Sequence, residues 1–317
     1  MKIKKILPII GLILFVYLIY RIGVRDLIET LKSAKIIYLV IGLALTPVFI
    51  MPLAFKWHII LKRQGFDLSF FYVLKLYYMG AFYGFITPAR VGSLMRAMYL
   101  KKKTKKGLVE CASSIVIERI MDLFAIFIFA FIGALIFIKS NLNLTYVLVF
   151  SFLVFTALIF IFMRKSRGMF VLGLIYNYLL PKSIKEKADN SLHTFYNSLP
   201  KLRRLIPVLF LTMITWILLY FQTYIFSWAF SITVPFHVFV AFASVGTIIA
   251  TIPISVSGLG TRELTLITLF SIYNIKPEAV VSMSLSSFFL IGLIESLIGL
   301  FFIFKEDEIL DYNTLSP

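Results

Sequence analysis

Long apolar runs, broken by short basic or Gly/Pro-containing connections, dominate the chain. They lie near Ile6–Tyr20, Ile36–Phe55, Cys111–Ile138, Tyr146–Met163, Leu205–Ile232, Phe236–Ile252 and Ala279–Phe304. Two further apolar stretches, Phe70–Thr87 and the segment around Pro253–Tyr273, are shorter and end in Pro/Gly turns. A helix needs about 20 predominantly apolar residues to cross a bilayer, so the longer runs predict transmembrane helices. The alternative that also satisfies its backbone in lipid, a closed β-barrel, would show short alternating segments instead. The pattern therefore predicts an all-α polytopic integral membrane protein with about eight spanning helices plus one or two re-entrant elements. It is read as a single transmembrane domain over residues 1–317, with a cytoplasmic interfacial segment at 164–204 and a short acidic tail at 305–317.

Composition agrees: 60% of residues are hydrophobic and 15% charged, with a mean hydropathy of +0.95. A soluble domain is near half apolar and a quarter charged. The net charge of +17 does not indicate nucleic acid, because Lys and Arg cluster beside apolar runs, as the positive-inside rule and anionic headgroups require. Lys2, Lys4 and Lys5 predict a cytoplasmic N-terminus, and Lys56, Lys62 and Arg63 a cytoplasmic end to the second span. The run LMRAMYLKKKTKK at 94–106 is the strongest cytoplasmic marker. An apolar stretch between two cytoplasmic clusters cannot cross once, so Phe70–Ile86 is expected to enter the membrane and return, turning near Gly84–Pro88. Such backbone is tolerated only under a cover of protein or a wet cavity. The C-terminus is placed in the cytoplasm as well. The segment 164–204, too polar to span, reads either as interfacial helices on the anionic leaflet or as a solvated loop.

Ionisable groups inside apolar runs mark candidate chemistry. In GFITPARVGSLMRA (84–97), Pro88 and Gly92 permit a tight turn, with Arg90 and Arg96 close behind. Arginine beside exposed backbone N–H groups suits a phosphate, although headgroup anchoring by snorkelling is the plainer alternative. Glu110, Ser114, Glu118 and Asp122 recur every four residues and so share one helical stripe, with Arg119 within i+3 reach of Asp122. That stripe either locks neighbouring helices or carries protons. In TIPISVSGLGTREL (251–264), Pro253, Gly258 and Gly260 interrupt the run before Arg262 and Glu263. The order proline, glycine, arginine thus occurs once in each half, which points to an inverted repeat with binding at its interface. Glu295 sits on a seam of small residues and is read as helix packing. The one cysteine, Cys111, forms no internal disulfide, and the three histidines lack metal spacing, so no metal and no cofactor is expected. No phosphate-binding loop of the ATPase type occurs.

The ordered segments TPARVGSLMRAMYLKKK, IVIERIMDL and PISVSGLGTRE resemble the flippase-like family that includes the transmembrane region of lysylphosphatidylglycerol synthases. The resemblance covers roughly residues 5–305. It implies a helical bundle with re-entrant elements and a lipid-accessible cavity. By the same resemblance, Pro88, Arg90, Gly92 and Arg96 match the first motif. Glu118, Arg119 and Asp122 match an ERxxD motif, and Pro253, Gly258, Gly260, Arg262 and Glu263 match the third. Ser93 stands where the family often has an acidic residue. The synthases carry a soluble aminoacyl-transfer domain that has no counterpart in this sequence, so lysine transfer is not expected. The expected function is translocation or presentation of an anionic phospholipid or a polyprenyl-phosphate-linked lipid. The alternatives are an intramembrane glycosyl or aminoacyl-lipid transferase and a non-catalytic subunit of a cell-envelope lipid-biosynthesis complex. Expected partners are membrane lipids, with a homo-oligomer or a lipid-biosynthesis enzyme as further possibilities.

Overall fold

The computed structural model describes residues 16–104, 106–136, scattered positions between 146 and 167, 182–200, 202–252 and 258–315, with 88–90, 182–189, 202 and 306–315 given as backbone. Every regular element among them is helical. In chain order these are α1 (Val24–Lys32), α2 (Ile36–Ala44), α3 (Thr46–Arg63), α4 (Phe70–Ile86), a 3-10 turn (Pro88–Leu94), α5 (Met95–Lys103) and α6 (Leu108–Ile136). There follow α7 (Lys182–Ser198), α8 (Leu202–Ala229), α9 (Phe236–Thr251), α10 (Thr261–Phe270) and α11 (Pro277–Leu315). Three helical stretches, Ile36–Arg63, Arg203–Ala229 and Pro277–Lys305, are long and apolar enough to cross a membrane, while α4 and α9 are apolar but shorter. This is a polytopic helical membrane protein. Most of the expected spans at Ile6–Tyr20 and Tyr146–Met163 lie outside the described residues.

The second span runs past its expected end at Phe55 to Arg63, joining α2 and α3. Lys56 therefore falls inside the bundle, fully buried. As a marker of the membrane surface it is corrected: Lys62 and Arg63, two turns on, occupy the helix end. The segment 164–204 contains α7, whose C-terminal part docks on the bundle. Tyr196 is buried, and the Gln64 side chain donates to the Ser198 carbonyl at 3.0 Å.

Two antiparallel hairpins organise the molecule. In the first, α4 descends and the 3-10 turn and α5 return along it. Thr87 staples the tip: its hydroxyl donates to the Tyr83 carbonyl at 2.6 Å and accepts from Gly92 N–H at 2.7 Å. Gly92 lies so close to α4 that a β-carbon there would sit 2.1 Å from the Tyr83 carbonyl oxygen, which reserves the position for glycine. The hairpin's two ends meet again beyond α5, where Lys106 Nζ donates to the Gln64 carbonyl at 2.8 Å and Lys103 lies over the Tyr72 ring. In the second hairpin α9 leads out and α10 returns along it. Gly258 packs on Ala250, and Leu266 on Gly246.

The hairpins are equivalent at a constant separation of 166 positions. Gly80 pairs with Gly246, Gly92 with Gly258, Arg96 with Arg262, and Gly133 with Gly299. Gly65 and Ser231, both with positive φ, stand before the two hairpins at the same separation. The buried core repeats as well: Val73, Leu76, Met79 and Leu100 in one hairpin correspond to Phe239, Phe242, Val245 and Leu266 in the other. The prolines of the two motifs, at 88 and 253, are one position out of this register, so glycine and arginine carry the repeat.

The equivalent helices α3 and α8 pack antiparallel. Gln222 Nε2 donates to Gly42 O and Thr46 Oγ1 at one end, whereas Ile60 clusters with Leu205 and Val208 at the other. The hairpins consequently open from opposite ends, and the repeat is inverted. Each is covered by the other half's long helix. Gly292 and Gly299 of α11 meet Phe85 and Tyr78 of α4, while Gly133 of α6 meets Ala241 of α9. Small residues allow this close approach, which in lipid depends on packing because water expulsion contributes little.

Candidate functional site: buried charges at two inverted hairpins

α3 and α6 cross where the first hairpin returns, and four charges meet there. Lys56, Arg96, Glu118 and Asp122 are all buried. Glu118 and Asp122, one helical turn apart, face the same side of α6. Lys56 Nζ donates to Asp122 Oδ1 at 2.5 Å and lies 3.7 Å from Glu118 Oε1, while Arg96 Nη2 donates to Glu118 Oε2. Two cations and two carboxylates leave the cluster neutral, the arrangement that low-dielectric burial requires. Aromatic groups enclose it. The Arg96 guanidinium lies over both Trp57 and Tyr77, 4.4 and 4.8 Å from the ring centres. Trp216 on α8 donates to Asp122 Oδ1 at 3.0 Å, and Trp57 donates to Ser114 Oγ at 3.1 Å. Arg96 Nε and Glu118 Oε1 hold no hydrogen bond.

At the equivalent place in the second hairpin, Gly258 and Gly260 take positive φ values of 81° and 84°, which glycine tolerates best. Glu263, at the third position of α10, reaches back to the Gly260 N–H at 2.7 Å, an N-terminal cap favoured by the helix dipole. Its Oε1 accepts from Arg262 Nε and Nη2 at 2.9 and 2.6 Å and from Ser284 Oγ at 2.7 Å. Arg262 lies over the Phe288 ring, 5.0 Å from its centre. Phe288 also packs on Phe85 near the tip of the first hairpin, 5.8 Å between ring centres, so the end of α4 and the second hairpin's returning arm converge on it. The 166-position register pairs Glu118 with Ser284, Asp122 with Phe288 and Lys56 with Gln222. Both halves thus tie the returning arm's arginine to a carboxylate, and only the first adds a second ion pair.

The residues singled out from sequence fall into separate places. Arg96, Glu118 and Asp122 come together, as do Gly258, Gly260, Arg262 and Glu263. Arg119 donates to Ser93 Oγ at 3.1 Å, whereas Asp122 meets Lys56 rather than Arg119. Glu110 sits at the start of α6, paired with Lys106 at 2.7 Å, two turns from Glu118. Glu295 occupies α11 between Gly292 and Gly299, on the helix that covers α4. Pro88 and Arg90 have described backbone only, and Pro253 lies outside the described residues. Among the described residues, no three His, Cys, Asp or Glu side chains gather as a metal site. Lys56 is the member that sequence reading missed. A lysine seven positions before Lys62–Arg63's end, between Phe55 and Trp57, lies about 10 Å deeper along the helix, and that depth was the available signal.

Comparison with known proteins places this architecture. The model of the lysylphosphatidylglycerol synthase transmembrane region matches residues 6–299. A UPF0104 membrane protein of Methanocaldococcus jannaschii is 26% identical over 307 residues, covering 90% of each chain. Another, from Methanothermobacter thermautotrophicus, is 20% identical over 292 residues and 86% of each chain. A second M. jannaschii relative is 26% identical over 200 residues, 60% of this chain and 79% of its own. The match runs through both hairpins and the long helices that cover them, and the chain belongs to the family of the lysylphosphatidylglycerol synthase transmembrane region.

Proposed function

We propose that this protein carries a lipid with a phosphate-bearing, anionic headgroup between the leaflets of the cell membrane, its N- and C-termini in the cytoplasm. An anionic phospholipid and a polyprenyl-phosphate-linked lipid share the required chemistry. The observation that supports this reading is the inverted pair of broken hairpins, each with an arginine–carboxylate tie at its returning arm, converging on Phe288. Paired interruptions of this kind in two inverted halves are how carriers build a site that can face either side. The Arg96–Glu118 pair holds the first returning arm to α6, while Glu263, paired with Arg262 on its own helix, holds the second to α11 through Ser284, and exchanging one attachment for the other would alternate the open face. The family relationship, to a region of lipid-modifying synthases, agrees with a lipid as the ligand.

The test is movement of fluorescent anionic phospholipid in reconstituted vesicles. Wild-type protein is expected to accelerate exchange between leaflets. A double Arg96→Ala/Arg262→Ala variant, folded by its thermal transition, is expected to lose at least about tenfold in rate, a barrier change of about 1.4 kcal/mol. Exchange unaltered by that double substitution overturns the reading.

A further inference from the structure

Arg119, on α6 beside the first hairpin, differs from Arg96 and Arg262. Arg96 and Arg262 are neutralised by Glu118 and Glu263, whereas Arg119 has no carboxylate partner among the described residues and is exposed. It lies eleven residues into α6, about 16 Å from the Leu108 end, which is near half the thickness of a bilayer's hydrocarbon core. Its Nη2 donates to Ser93 Oγ at 3.1 Å, so the side chain is turned to the hairpin tip and does not snorkel to the basic end of the helix. A guanidinium held at that depth with open donors calls for an anion. Three exposed apolar side chains, Val91, Leu94 and Met98, flank Ser93 on the returning arm, and Val116 lies one turn before Arg119. The register that repeats the hairpins places Leu285 opposite Arg119, so the second half has no such cation.

From this juxtaposition we infer that Arg119 and Ser93 form a one-sided binding site for the phosphate of a lipid headgroup, with Val91, Leu94 and Met98 against its acyl chains. Arg96 ties the first arm to α6 and Arg262 neutralises Glu263 on its own helix, which leaves Arg119 as the ligand-binding guanidinium. Guanidinium has donors to spare beyond the one given to Ser93, and phosphate accepts two in parallel. This site rests on the lipid-carrier reading and deepens it by naming the cation that meets the headgroup.

The test is native mass spectrometry of the detergent-solubilised full chain titrated with phosphatidylglycerol, with diacylglycerol as the phosphate-free comparison. Wild-type protein is expected to hold phosphatidylglycerol and not diacylglycerol. Arg119→Gln is expected to weaken that adduct at least tenfold, and Arg119→Lys less, because lysine keeps the charge but not the paired donors. An adduct of equal affinity in Arg119→Gln overturns the site. Inorganic phosphate bound alone at least as tightly as phosphatidylglycerol would make free phosphate the ligand and overturn the lipid assignment. A photoactivatable phosphatidylglycerol on wild-type protein needs no variant. It should label residues 91–98 and 116–119, and labelling confined elsewhere overturns the proposal. Loss of the adduct in Arg119→Gln with no lipid exchange by wild-type vesicles would leave the site standing and remove the carrier reading. Exchange by wild type with an unchanged Arg119→Gln adduct would do the reverse.

Discussion

Lys56 shows what a single buried charge does here. Its ammonium balances Asp122 in a place where neither survives alone, since removing one partner of a buried pair costs about 3–5 kcal/mol. Lys56→Met is expected to lose that amount in reversible unfolding by denaturing detergent, and adding Asp122→Asn should recover much of it. If the two losses simply add, the pair is not coupled and the cluster is misread. The same residue marks a boundary of sequence reading. Glu118, Asp122 and Arg96 stood out because carboxylates four apart and a motif arginine are visible in one dimension. Lys56 was counted with Lys62 and Arg63 because charge tallies ignore depth, and only the packing of α3 on α6 shows which way its side chain goes.

Among the elements, the first hairpin was the most legible. Basic clusters at both ends of an apolar stretch too short to cross and return as two full spans leave few solutions, and α4 with its returning arm realises one of them. Cysteines placed at Asp67 and Thr104, with Cys111 replaced, are expected to react with an impermeant reagent from the same side of the membrane. Reaction from opposite sides would require α4 and its arm to cross once. The tip depends on contact rather than on conformational preference. Gly92→Ala would drive a methyl group into the Tyr83 carbonyl and should cost about 3 kcal/mol, the upper part of the range for overpacking. An unchanged transition would mean that the tip yields. The second hairpin was harder to read, because no basic cluster marks its ends.

For the whole molecule, the repeat was visible in the sequence as proline, glycine and arginine in order, but its register was not. The prolines suggested one alignment, and the core shows another, one position away, in which apolar character rather than identity is kept: Val73 for Phe239, Met79 for Val245. Identity is too sparse to reveal this, since a bundle packed in lipid constrains apolar character and closeness more than residue type. Inversion makes a direct prediction. A cysteine at Thr233, before the second hairpin, should be labelled from the face opposite to one at Asp67. Labelling of both from one face would contradict the antiparallel packing of α3 on α8.

The exchange of covers between halves also has a consequence in time. Phe85 at the tip of the first hairpin rests on Gly292, which the ribosome adds 207 positions later, between residues 85 and 292. At about 5–20 residues per second, the interval is roughly 10–40 s. During it the aromatic face of α4 has lipid or the insertion machinery as its neighbour, and the chain is open to membrane quality control. The second hairpin does not wait, because its cover, α6, is already in place when α9 is made.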